Sequence, residues 1–236
     1  MQNLTLLALD TSTEACSVAL LYRGEKTHIN ELAQRTHTKR ILPMIDEILA
    51  NSGVGLNQVD ALAFGRGPGS FTGVRVGAGI AQGLAFGADL PVIPISNLTA
   101  MAQAAFELHQ AENVVAAIDA RMNEVYFSQL VREKVRSDCG EFFLWREIIT
   151  EQVCSPEEAI KQLRDDNAFR VGTGWAAYSQ FTEKNLTSSN IALPNSLYML
   201  ELARVEYLQK RTISALEIEP IYLRNEVTWK KLPGRE

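Results

Sequence analysis

Four short segments carry the side chains that could do chemistry. Asp10-Thr11-Ser12-Thr13 follows the apolar run LTLLAL, so a carboxylate and three hydroxyls stand at the mouth of what reads as a buried strand. Such a turn can offer N–H and hydroxyl donors to a phosphate while the carboxylate holds a hydrated Mg²⁺. The same residues also close an Asx or ST turn for local hydrogen-bonding reasons. Residues Gly65 to Gly77, GRGPGSFTGVRVG, form a glycine-rich loop ahead of a helical pattern. The loop has neither the G-K-[ST] of a Walker A motif nor the register of G-x-G-x-x-G, which leaves an anion at a helix start or a tight turn with positive φ. Asp119-Ala120-Arg121-Met122-Asn123-Glu124 again places an Asp at the end of an apolar strand, but Arg121 and Met122 are bulky where a phosphate turn needs Gly, Ser or Thr. Gly172-Thr173-Gly174 after FRV can approach a nucleoside or simply turn the chain.

Nothing in the spacing of the remaining reactive residues assembles a catalytic centre. His28, His37 and His109 form no H-x-x-x-H or H-E-x-x-H pair, so neighbouring imidazoles provide no metal site. Cys16, Cys139 and Cys154 are odd in number and contain no C-x-x-C, which reads as reduced thiols. No G-x-S-x-G nucleophile elbow is present. The expectation is no catalytic residue and no metal.

The elements that position these segments follow from periodicity. LTLLALD, ACSVALLYR and KTHINELA read as three strands joined by tight turns. Ile41, Ile45, Ile48 and Leu49 recur at helical spacing, with Gly53 as a stop and Pro43 placed in the first turn. VDALAFGRG is a strand, the glycine loop opens a second helix, PVIPIS is a strand and NLTAMAQAAFELHQ a helix. VVAAIDARMNEVYFSQLVRE then repeats the strand, Asp, turn, strand plan, and FFLWREIITEQVC extends that sheet. SPEEAIKQLRDD starts with Ser155 as N-cap and Glu158 as its capping-box partner. FRVGTGW is a strand, NSLYMLELARVEYLQK a long helix and PIYLRNEVTWKKLPGRE an extended tail. The order predicts two related α/β halves, 1–104 and 105–222, followed by a basic tail at 223–236.

Gly79, Gly83 and Gly87 recur every four residues in the second helix. Each costs a soluble helix about 1 kcal/mol relative to Ala, so close approach of a neighbour, in this chain or in a partner, is expected. The 236 residues are 46% hydrophobic, the net charge is −5 and the pI is about 5.4, which excludes disordered, fibrous and membrane-spanning classes. A surface this acidic lacks the field of a protein that binds nucleic acid unaided. Arg224, Lys230, Lys231 and Arg235 gather some positive charge in the tail. No charged and apolar leader opens the chain and no apolar run reaches membrane length, so a cytoplasmic protein is expected.

LALDTSTEACSVAL, GRGPGSFTGVRVG, IDARMNEVYF and PIYLRNEVTWKKLPG together resemble the bacterial TsaB (YeaZ) family over essentially the whole chain. The resemblance implies an α/β, actin/Hsp70-like ATPase (ribonuclease H-like) fold of two mixed-sheet halves. It also implies a part in making N6-threonylcarbamoyladenosine in tRNAs that read codons beginning with A. The implied partners are the catalytic paralogue TsaD, the ATPase TsaE, a carbamoyl-adenylate supplier and tRNA reached through the complex, with a homodimer when the chain is alone. The family pairs through its first two helices. In this chain these carry Ile41, Leu42, Ile45, Ile48 and Leu49, then Val76, Gly79, Ile80, Gly83 and Gly87. A vestigial nucleotide pocket is expected at Asp10, Thr11, Ser12, Thr13, Gly172 and Gly174, with no cofactor of the chain's own and ATP or ADP acting in the complex. Two other readings stay open: an independent kinase or ATPase of the same fold, which needs a competent second phosphate turn, and a peptidase acting on TsaD, which needs a nucleophile and base.

Overall fold

The computed structural model of the chain describes residues 4–33, 36–137, 140–165, 167–183 and 188–224. Cys139, Lys230, Lys231, Arg235 and the tail beyond Arg224 lie outside the described residues. The first half runs β1 (Leu6–Asp10), β2 (Ala15–Tyr22), β3 (Glu25–Leu32), α1 (His37–Ser52), β4 (Ala61–Gly67), α2 (Phe71–Ala88), β5 (Val92–Ser96) and α3 (Asn97–His109). The second runs β6 (Asn113–Arg121), β7 (Glu124–Ser137), β8 (Gly140–Cys154), α4 (Pro156–Gln162), β9 (Phe169–Val171), α5 (Gly174–Ala177), α6 (Ser179–Glu183) and α7 (Ser196–Leu208). The sheets have the orders β3-β2-β1-β4-β5 and β8-β7-β6-β9. In each, an antiparallel hairpin continues into parallel partners, β1 beside β4 and β6 beside β9. This is the expected mixed-sheet α/β architecture. No helix among the described residues is long and apolar enough to cross a membrane.

Alternation within a strand decides which helix covers which face. Leu7 and Leu9 of β1 join α1 and α2 in one core cluster, while Leu6 and Ala8 join Met199, Leu200 and Ala203 of α7 in another. A strand covered on both sides has no polar face, which is why LLAL is unbroken. α3 is buried almost all round: Ala100 packs with the first sheet, whereas Leu98, Met101, Ala104 and Ala105 pack with Val114, Ala116 and Ile118 of β6. The expected division at 104–105 falls inside this continuous helix.

Local chemistry sets the helix ends. Ser155 accepts from the Glu158 N–H at 3.2 Å while Glu158 accepts from the Ser155 N–H at 3.1 Å, the expected capping box. Gly53 ends α1 in the left-handed region at φ 64°. α1 begins at His37 rather than near Ile41, so Pro43 lies in the helix interior and not in its first turn. The proline withholds the N–H that would reach the Lys39 carbonyl, and its ring is exposed. The short α5 and α6 were not legible, because four or five residues are too few to show a helical period.

The glycines of α2 divide into two sets with opposite physics. At Gly73 a Cβ would stand 2.2 Å from the Thr11 carbonyl oxygen, so only glycine lets the helix close on the β1–β2 turn. Around Gly79, Gly83 and Gly87 a Cβ would meet nothing within 4 Å. The close neighbour expected at those three positions is therefore not supplied by the described residues of this chain. Replacing Gly73 by Ala is expected to lower stability by about 2 kcal/mol or more, as backbone must shift to admit the methyl. Gly83→Ala is expected to raise it by up to about 1 kcal/mol through helix propensity. Urea unfolding of the two variants checks this; equal effects in both would contradict the division.

Candidate functional site

The β1–β2 turn is turned inward. Asp10, Thr11, Ser12 and Thr13 are all buried. Asp10 Oδ2 accepts from the Ser12 hydroxyl at 3.0 Å and the Ser12 N–H at 3.3 Å, Thr11 Oγ1 donates to the Gly73 carbonyl at 2.7 Å, and Thr13 Oγ1 accepts from the Ala15 N–H at 3.3 Å. The Thr11 and Ser12 hydroxyls therefore spend their protons inside the protein, on the Gly73 carbonyl and on Asp10. The glycine-rich loop seals the turn: the Ser70 N–H donates to Ser12 O at 2.6 Å, and a Cβ at Gly69 would stand 2.5 Å from that same oxygen. Asn97, the first residue of α3, closes the other side by donating to Ser12 Oγ and, at 3.2 Å, to the Pro68 carbonyl.

That network leaves two acceptors over. Asp10 Oδ1 and Asn97 Oδ1 are buried without a hydrogen-bond partner. Both abut Gly65, where a Cβ would stand 2.0 Å and 2.6 Å from them. Burial pushes the Asp10 carboxyl from 3.8 up to about 7, against the opposing pull of its hydrogen bonds from Ser12 and Asn97.

The second-half turn is held by side chains of its own. Asp119 Oδ1 accepts from the Arg121 N–H at 2.8 Å and from the Tyr178 hydroxyl at 2.6 Å, and the Tyr178 phenol is pushed up to about 12 by burial and by that carboxylate. The Arg121 guanidinium pairs with Asp119 at 2.9 Å and reaches Glu14 of the β1–β2 turn at 3.5 Å, spanning the space between the halves. Gly172 presses on β6: a Cβ there would stand 2.1 Å from the Ala117 carbonyl oxygen. Thr173 Oγ1 accepts from the Asp119 N–H at 3.0 Å, and Gly174 starts α5. The Arg121 contact to Glu14 joins the two entry turns, and the Asp119 N–H bond to Thr173 joins the second of them to the Gly172–Gly174 segment. Among the described residues no group of three or more His, Cys, Asp or Glu is placed to hold a metal. Cys16 and Cys154 are buried free thiols, both pushed up to about 11 by burial.

A family model described as "TsaD: tRNA N6-adenosine threonylcarbamoyltransferase" matches residues 28–230. The tRNA threonylcarbamoyladenosine biosynthesis protein TsaB of Haemophilus influenzae is 94% identical over 236 residues, all of both chains. This chain belongs to the TsaB family. The TsaB of Escherichia coli is 47% identical across 98% of this chain and 99% of its own. The solved structure of YeaZ from Pseudomonas aeruginosa superposes with a TM-score of 0.78 at 40% identity, covering 93% of this chain and 100% of that one.

Against that family frame, the expected pairing residues fall into two groups. Ile41, Ile45, Ile48 and Leu49 are buried in the chain's own core with β1, β2 and β4 and present nothing to a partner, which corrects the expectation for these four. Their spacing is the stripe with which α1 packs on its sheet. Leu42, Gly79, Gly83 and Gly87 are exposed, and Val76 and Ile80 are half-buried. Phe86, one turn from Gly83 and two from Gly79 and 73% exposed, belongs to this open face although the sequence pattern gave no sign of it. Asn97 and Tyr178 were also passed over, since a single amide or phenol far along the chain gives no spacing signal.

Asp10 binds its proton more tightly folded, at about 7, than its ordinary value of 3.8. Between these values the folded state holds the extra proton, so this group's contribution to stability falls as pH rises through the window and is lowest above it. Asp10→Asn keeps the shape and removes the titration. The variant is expected to gain stability over the wild type from pH 5 to pH 8 by roughly 2–3 kcal/mol, most of the full linkage of a shift of about three pK units. Urea melts at both pH values measure it, and a parallel pH dependence in the two proteins would show that Asp10 is not the group responsible.

Proposed function

We propose that this chain is a non-catalytic partner subunit of the bacterial tRNA N6-threonylcarbamoyladenosine synthesis complex. It pairs with TsaD and supports transfer of the threonylcarbamoyl group to adenosine of tRNAs reading ANN codons. Its full-length kinship with the TsaB proteins supports the pathway. The single observation that carries the pairing is the solvent-open glycine face of α2, destabilising for the isolated helix and carrying exposed Phe86. Helices pack most closely where glycine lets their backbones approach, so a helical face of the partner is the chemistry this surface fits. TsaE and the carbamoyl-adenylate supplier act in the same complex, tRNA is met through it, ATP or ADP is used at its level, and the same face joins two copies when TsaD is absent. The chain acts in the cytoplasm.

The reading that catalysis resides elsewhere rests on the engaged hydroxyls of Thr11 and Ser12 and on the Arg121 bridge to Glu14. An independent kinase would need those groups free to meet phosphate. Threonylcarbamoylation reconstituted from purified components is expected to lose most of its tRNA product when this chain is left out; an unchanged yield would overturn the proposal. Gly83→Leu tests the surface. Leucine points into open space and is the better helix former, so the chain stays folded. Its affinity for TsaD is expected to fall at least about tenfold, a loss of roughly 1.4 kcal/mol. Undiminished co-purification would remove this face from the interface.

A further inference from the structure

Left-handed backbone is unfavourable for bulky residues because Cβ crowds the carbonyl oxygen, and a run of such residues persists only where the surroundings hold it. In the β6–β7 turn Arg121, Met122 and Asn123 have φ of 63°, 58° and 58°. Arg121 pairs with Glu124, so Met122-Asn123 is a two-residue hairpin connection that demands positive φ at both positions. Asn accepts that geometry readily; Met does not. The Met122 side chain is 65% exposed, so packing does not secure it.

Beyond the Asp119 and Tyr178 bonds within the second half, support comes from the far end of the chain. Arg224 donates Nη2 to the carbonyls of Ala120 at 3.0 Å and Arg121 at 3.4 Å, and its guanidinium pairs with Glu124, Nε lying 2.9 Å from Oε2. Residues just before it are fastened to the first half. The Ile221 N–H donates to the Arg66 carbonyl at 3.0 Å, Arg75 Nε donates to the Tyr222 hydroxyl at 2.7 Å, and the Tyr222 ring lies 5.6 Å from that of Phe71. Further back, Ile213 bridges Val92 at the edge of β5, and Gln82 of α2 donates to the Ala215 carbonyl at 3.0 Å. Residues 213–224 therefore run as a strap from β5, along α2, to the turn of the second sheet.

We propose that Arg224 is a latch. It holds the β6–β7 turn in its left-handed form and fastens the second sheet to the α2 end of the first; when the strap lets go, the turn relaxes. The latch belongs to the isolated chain and does not depend on how that chain pairs. A donor that satisfies two carbonyls and a carboxylate together is what a strained turn with an unpacked side chain requires.

Hydrogen exchange on the full chain tests it. Arg224→Gln is expected to speed exchange of amides 120–125 about tenfold, the equivalent of one charge-assisted hydrogen bond, while β1 and β2 keep wild-type rates. Glu124→Gln, which removes the carboxylate and keeps the side-chain shape, is expected to give the same local pattern. Glycine at 122 adopts the left-handed form without strain, so in a Met122→Gly background Arg224→Gln is expected to speed the turn no more than about twofold, a coupling between the two sites. An ordinary contact would give equal acceleration in both backgrounds. Equal acceleration, no acceleration in either, or acceleration spread evenly through β1 and β2 would each overturn the latch.

Discussion

The closure of the first turn of α2 onto the β1–β2 turn is the contact from which the rest of the molecule takes its arrangement. Thr11 gives its hydroxyl to the Gly73 carbonyl, Ser12 accepts the Ser70 N–H, and the absent side chains at Gly69 and Gly73 allow the backbones to touch. Burying polar groups this deeply is tolerable only when their hydrogen bonds are made internally. Because Thr11 and Ser12 meet that condition through Gly73, Ser70, Asp10 and Asn97, the place where a related fold would admit phosphate is a joint between strand, loop and two helices. The joint fixes where α2 leaves the sheet. Its outer glycines then face solvent.

How much of this was legible depended on the range of the signal. The succession of strands along the chain, the helix bearing Ile45 and Ile48 and the capping box at Ser155 and Glu158 follow from periods of two and of 3.6 residues and from contacts three residues apart. The glycine loop was visible, but the choice between an anion cradle and a close approach was not, since both demand glycine. That choice was made by Thr11 and Ser12, some sixty residues away, which no local pattern reports. The assignment of Ile41, Ile45, Ile48 and Leu49 to a partner failed for a related reason. An apolar helical stripe has to be buried somewhere, and the chain's own sheet, brought near by the β2–β3 hairpin, takes it first. What remained exposed was the part without apolar periodicity, the glycines at 79, 83 and 87.

The two related halves have diverged in how their entry turns are secured. The first is sealed by its neighbours' main chains and carries no left-handed residue between Asp10 and Glu14. The second stands at the surface, strained and held by charges: Asp119 and Glu14 on Arg121, Arg224 on Glu124. Main-chain packing is rigid and indifferent to salt, while exposed ion pairs are weaker and screened. One side of the molecule is thus fixed by shape and the other by charge.

The burial of α3 on two sides bears on motion. Folds built from two lobes often work like a clam, swinging about a few backbone positions that change dihedral angles without disturbing a core. Here the link between the lobes is a thirteen-residue helix whose side chains from Leu98 to Ala105 serve as filling for both. Swinging the lobes would tear one filling away from the other. The molecule is built as a single keel with two planked sides, so its contour is set by the packing of one helix.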